Sequence, residues 1–233
     1  MRVDTDSTNP ALKSIIENPH QTITLDANFL IPPYRSRFTN IEIVFEKFAE
    51  VWLDPIFSAF PNLAIHEAVY SELVGTAPQS YINKKLSHIP PEIVVHKDSG
   101  LSEVEKILRD TIEARIASHT KYDPLLDNKD DRGEVKSLAY IAVKGLSYFA
   151  AHDNNAIQLI EKSSEWSTGL DNVRAIKMYE LAYYLYKNNL GNKKALKMLY
   201  KYQYYLTAHE QNTNPEWGVF TRSMDNLYAT CFK

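Results

Sequence analysis

Strand-like apolar runs alternating with stretches of helical periodicity constrain this chain more than any other feature. The runs are Ile23–Ile31, closed by Pro32 and Pro33, then 62–65, Glu92–His96 and 146–151. Between them, apolar residues fall three and four apart: Ile41, Phe45, Phe48 and Trp52; then Val104, Ile107, Leu108, Ile112 and Ile116; then Val135, Leu138, Ala139, Ala142 and Val143. That spacing is one face of a helix, and parallel neighbouring strands need such crossovers. An α/β fold with a mainly parallel sheet is therefore expected.

Local signals punctuate the pattern. Residues 67–74 read as a short helix stopped by Gly75 and Pro78, and Ser102 with Glu105 has capping-box spacing. Asp131 and Glu134 share that spacing before the third helical stretch, and Gly145 suits its C-terminal end. From residue 161 the style changes. A helix capped by Asp171 or Asn172 is expected through Val173, Ile176, Met178, Leu181 and Leu185. A second follows through Leu196, Leu199, Tyr202 and Leu206, then a linker over 211–215. These two Tyr-rich helices form a candidate hairpin.

Composition narrows the function classes. With 44% hydrophobic and 24% charged residues over 233 positions, a sizeable core is possible. The net charge of -3 excludes a histone-like mode of nucleic-acid binding. A single cysteine, Cys231, excludes an internal disulfide or a cysteine-rich zinc site and suits a reducing compartment. No run approaches 18 apolar residues, and the N-terminus lacks the signature of a signal peptide, so a cytoplasmic location without a membrane partner is expected. Phosphate-cradling glycine loops are missing, as is a His-Glu-x-x-His zinc motif. A dehalogenase-like phosphatase wants a second Asp where this chain has Asn28.

The acids carry the chemistry. Asp26 ends the first strand, Asp153 ends the fourth, and Glu134 opens the helix before that fourth strand. Sites in open α/β sheets gather at this edge. Glu72 is a fourth candidate, with Glu67 competing for its role. Acids brought this close repel one another and need protons or a divalent cation; hard oxygen donors without His or Cys suit Mg²⁺ or Mn²⁺. Such ions favour phosphodiester hydrolysis. Asn28 either orients a carboxylate from the face of Asp26 or forms a turn. Asp131 is an accessory residue or a cap, and Glu134 either binds metal or closes the box onto Asp131. Arg35 and Arg37 either contact RNA phosphates or serve solubility.

Four stretches resemble the PIN-domain nucleases: Leu25-Asp26-Ala27-Asn28-Phe29-Leu30, Ala68-Val69-Tyr70-Ser71-Glu72-Leu73, Gly133-Glu134-Val135 with Leu138-Ala139, and His152-Asp153-Asn154-Asn155-Ala156. They lie in the family's order within a catalytic domain at 21–160, leaving 161–233 as a helical C-terminal extension. The resemblance implies a three-layer α/β/α sandwich and metal-dependent endoribonuclease activity leaving 3′-hydroxyl and 5′-phosphate ends. Asp26, Glu72, Glu134 and Asp153 would then serve as catalytic and metal-binding acids. Toxins of toxin–antitoxin pairs are common among such proteins, so an antitoxin and a homodimer are candidate partners. The alternative is a non-catalytic RNA- or protein-binding module. Between Asp171 and Gln211 seven basic residues face three acidic ones, beside eight of the fifteen tyrosines, which suits either RNA stacking or simple packing.

Overall fold

In the computed structural model, which describes residues 1–73 and 75–232, five strands form one parallel sheet. They are β1 (Ile23–Leu25), β2 (Leu63–His66), β3 (Ile93–His96), β4 (Tyr148–Ala151) and β5 (Arg174–Lys177), in the order β3-β2-β1-β4-β5. The register sets Ile23 beside both Leu63 and Tyr148, and His66 beside His96. β1 and β2 are buried throughout, Thr24 and His66 included, as strands covered on both faces are. The α/β class and the parallel sheet with flanking helices match the sequence pattern. Val74, at the end of the expected 67–74 helix, lies outside the described residues.

Two compact units make up the chain. One comprises Thr22–Ile31 and Pro61–Ala175; the other comprises Met1–Gln21, Pro32–Phe60 and Ile176–Lys233. The expected boundary at 160/161 does not coincide with them, since residues 161–175 cluster with the sheet strands.

Within the sheet unit, the Arg132–Val143 helix packs on the Glu103–Ala117 helix, on the Glu67–Glu72 helix and on β2. The Ser102–Glu105 capping box forms as expected, and Gly145 takes a positive φ of 64° just past the helix end, where a side chain would be strained. Trp166 stacks on His119 with ring centres 4.8 Å apart. Three local expectations need correction. Residues Arg174–Lys177 form β5, so the helix opens at Met178 instead of near Val173; Val173 and Ile176 fit an i, i+3 pair by coincidence, while the Arg174 amide bonds to the Ser147 carbonyl at 2.7 Å. The 211–215 linker is largely helical, belonging to Ala208–Thr213. Finally, Val104, Ile107 and Leu108 are exposed. The C-terminal end of the stripe is buried as expected at Ile116, together with Ala117 and with Glu113, which is held by Arg109 and by the Tyr122 hydroxyl at 3.0 Å.

In the helical unit, the Met178–Lys187 and Lys193–Tyr204 helices pack on each other. Six of the eight tyrosines there, at 179, 183, 184, 200, 202 and 204, are buried. Tyr200 stacks on Phe220 at 4.7 Å and Tyr179 meets Tyr204 edge-on at 5.8 Å, so these rings form a core rather than a stacking platform. No helix among the described residues is long and apolar enough to cross a membrane.

Candidate metal centre

The strand order reverses between β1 and β4: from β1 the chain builds outward to β2 and β3, then returns to β4 on the other side. The crevice beyond the carboxyl ends of two such strands is where open α/β sheets bind ligands. Asp26 follows β1 directly, and Asp153 lies two residues beyond β4. Both belong to the chain that leaves this crevice.

Asp26 is 3% exposed at the head of the short Ala27–Leu30 helix. Burial pushes its carboxyl up to about 7, against the amides of Ala27 and Asn28, with the charges of Glu72 and Asp153 adding to the rise. Glu134, 7% exposed in the first turn of the Arg132–Val143 helix, is pushed up to about 9, first by burial and then by the charges of Asp26, Asp153, Asp131 and Glu72. Glu72 is exposed as a residue, yet the atoms packed around its carboxyl raise it as well, against the Gly133 amide, which donates to Glu72 Oε1 at 2.8 Å. Asp153 caps the Asn154–Glu161 helix, its Oδ1 accepting from the Asn155 amide at 2.6 Å. The four acids thus share one electrostatic neighbourhood.

Asp26 Oδ2 and Glu134 Oε1 are buried without a hydrogen-bond partner. An unpartnered buried carboxylate oxygen is costly, and a hard cation is a partner that suits it. Carboxylate oxygens are the hard donors that Mg²⁺ or Mn²⁺ takes, but no three of the four acids bring ligand atoms within 4.8 Å of one another. Ser137 Oγ, one helical turn after Glu134 and fully buried, is unpartnered too.

The accessory residues are placed differently from expectation. Asp131 does not cap the Arg132–Val143 helix: its φ is 55°, and its Oδ2 accepts from the Lys121 amide at 2.9 Å. No capping box onto Asp131 therefore occupies Glu134. Asn28 is exposed and sits in a helical turn, where positions i and i+2 diverge, so it does not share the face of Asp26. Arg35 donates to the Gln203 carbonyl and to Glu210, both at 2.6 Å, so its Nη atoms are committed inside the helical unit. Arg37 is exposed.

A second cluster escaped sequence reasoning. His66, Glu67 and Asp98 form the one set of three or more His, Cys, Asp or Glu side chains among the described residues whose donor atoms lie within 4.8 Å of one another. His66 Nδ1 accepts from the Ala68 amide at 3.2 Å, which leaves the Nε2–H to face Asp98 Oδ1 at 3.2 Å. Glu67 Oε1 accepts from the Asp98 amide at 2.7 Å, and Arg109 lies 3.7 Å from Asp98. Burial opposes ionisation of Asp98, yet His66 and Arg109 hold its carboxyl below the usual range. This network ties the ends of β2 and β3 together with its donors already engaged, and it occupies Glu67, the competitor of Glu72. Its only sequence signal was polar residues closing two adjacent strands. Arg132 was also missed; it bonds to Asp127 at 2.9 Å and to Ser71 Oγ at 3.2 Å, and its charge couples to Glu72.

No model of a known protein family, no curated protein and no solved structure matches the chain.

Proposed function

We propose that the chain is a divalent-cation-dependent hydrolase of RNA phosphodiester bonds, with Asp26, Glu72, Glu134 and Asp153 as its acids. The observation that carries this reading is the pair of unpartnered buried oxygens, Asp26 Oδ2 and Glu134 Oε1, at the strand-order reversal. Asp26 and Glu134 would hold Mg²⁺ or Mn²⁺, with Asp153 and Glu72 completing the set. Once bound, such an ion lowers the pKa of water and steadies charge on the phosphoryl oxygens. Glu72 would be held in place for that set by the Gly133 amide. The resemblance of the four acidic stretches to PIN-domain nucleases supports RNA as substrate, and the single cysteine supports a reducing, cytoplasmic setting.

A second reading, a binding module with residual acids, draws support from the fact that no three of the four lie within 4.8 Å of one another. The test is cleavage of unstructured RNA with Mn²⁺ by the wild-type chain and by Asp26→Asn. Hydrolysis lost in the variant supports the first reading. Equal hydrolysis refutes the site, and none in either sample favours the binding module.

A further inference from the structure

The helical unit contains an open cavity of about 480 Å³. Its floor is one stripe of the Lys193–Tyr204 helix, Ala195, Met198, Leu199 and Tyr202, at the i, i+3, i+4, i+7 spacing of a helical face. Ile41 and Val51 belong to the opposite wall. Met198 is 71% exposed and Ile41 67%, although both are apolar. Tyr202 braces the two walls by donating its hydroxyl to the Ile41 carbonyl at 3.0 Å.

Charge distinguishes the rims. The floor helix carries Lys193, Lys194, Lys197 and Lys201 and no acidic residue. Lys193 lies over the Tyr186 ring, whereas Lys194, Lys197 and Lys201 run at i, i+3, i+7 along the solvent edge of the stripe. On the opposite wall the one charged lining residue is Lys47, whose ammonium is neutralised by Glu50 at 2.7 Å, and Glu42 and Glu46 near it in sequence are exposed. From this geometry we infer that the groove docks an amphipathic helix of a protein partner, its apolar stripe against Met198 and Leu199 and its acidic flank along the lysine row. An apolar groove read at helical spacing is a recognised mode of helix capture, and an exposed methionine adapts to such a guest. Three cations at helical spacing match acids repeating on a helix flank; a single lipid carboxylate would engage only one of them. The inference uses none of the residues of the proposed hydrolytic site.

The test is calorimetric titration of the full chain with a three-turn synthetic helix bearing leucines at i, i+3, i+4 and i+7, with Glu along one flank and Gln along the other. A counterpart carries Lys in place of Glu. The Glu peptide is expected to bind, and Met198→Asp, at an exposed position, is expected to weaken it about tenfold or more. Lys194→Glu with Lys201→Glu is expected to reverse the preference toward the Lys peptide. Circular dichroism matching that of the wild type establishes that both variants are folded. Equal binding of the two peptides overturns the inference. So does saturable binding of palmitate in place of either peptide, or a dimer of the chain that Met198→Asp dissociates while neither peptide binds.

Discussion

The amide of Gly133 donates to Glu72 Oε1 at 2.8 Å, and a Cβ on that glycine would stand against the same carboxylate, 2.9 Å from its Cδ. The glycine is thus the only residue type that lets the Glu67–Glu72 helix bring Glu72 against the start of the Arg132–Val143 helix without displacing it. Gly133→Ala is expected to leave thermal stability within about 1 kcal/mol, because the gain in helix propensity offsets the lost hydrogen bond. Mn²⁺ affinity is expected to fall roughly tenfold, as when a group orienting a metal ligand is lost. Thermal melts in chelator measure the first part, and calorimetric titration of the folded variant with Mn²⁺ measures the second, each against the wild type.

Asp26 and Glu134 have folded-state pKa values raised to about 7 and about 9. Their contribution to stability is full below the unfolded carboxylate values and is lost as pH rises toward those raised values. His96, lowered to about 4 first by burial and then by the charge of His66, acts in the opposite direction between about 4 and 6.5. The window from pH 7 to 9 therefore belongs chiefly to Glu134. In chelator, the unfolding free energy from urea titrations is expected to decline across it, with a slope of up to about 1.4 kcal/mol per pH unit. Saturating Mg²⁺ or Mn²⁺ is expected to flatten that slope, since the cation replaces the proton.

Glu134→Gln removes a buried charge while keeping the shape of the side chain. In chelator at pH 9, the variant is expected to be more stable than the wild type by roughly 1 to 3 kcal/mol. Added Mn²⁺ is expected to raise its melting temperature less than that of the wild type. A wild-type-sized gain would remove Glu134 from the metal set.

Asp98→Ala separates the two polar clusters. It leaves the His66 Nε2–H, in a side chain 1% exposed, without its acceptor, and it removes a charge facing Arg109. Chemical denaturation is expected to show a loss of about 1 to 3 kcal/mol. Mn²⁺ affinity is expected to stay unchanged. A parallel loss of affinity would mean that the cation sits among His66, Glu67 and Asp98.

Much of the fold was legible because β1 and β2 are buried throughout and the edge strand Ile93–His96, although Val94 is exposed, is still a β-branched run closed by Asp98 and Gly100. β5 was hidden because Val173 and Ile176 satisfy helical spacing as well as they satisfy a strand. The exposed stripe at Val104, Ile107 and Leu108 shows the reverse error: periodicity identifies a helix face but not what covers it. At the site, Asp26 was visible as an acid closing an apolar run, whereas the contact of Gly133 with Glu72 joins positions 61 residues apart and leaves no local trace. The commitment of Arg35 to Glu210 was invisible for the same reason, as was the engagement of Asp131 by the Lys121 amide, which depends on a left-handed backbone at that aspartate.

The stacked pair of Trp166 and His119 gives the sheet unit a private optical label. Trp52 and Trp217 both lie in the helical unit, so Trp166 is the one indole among the strands' own segments. With those two changed to phenylalanine, the indole emission of the chain, excited at wavelengths tyrosine does not absorb, would come from the sheet unit alone. Cation binding and loss of structure there could then be followed by light, without any attached dye.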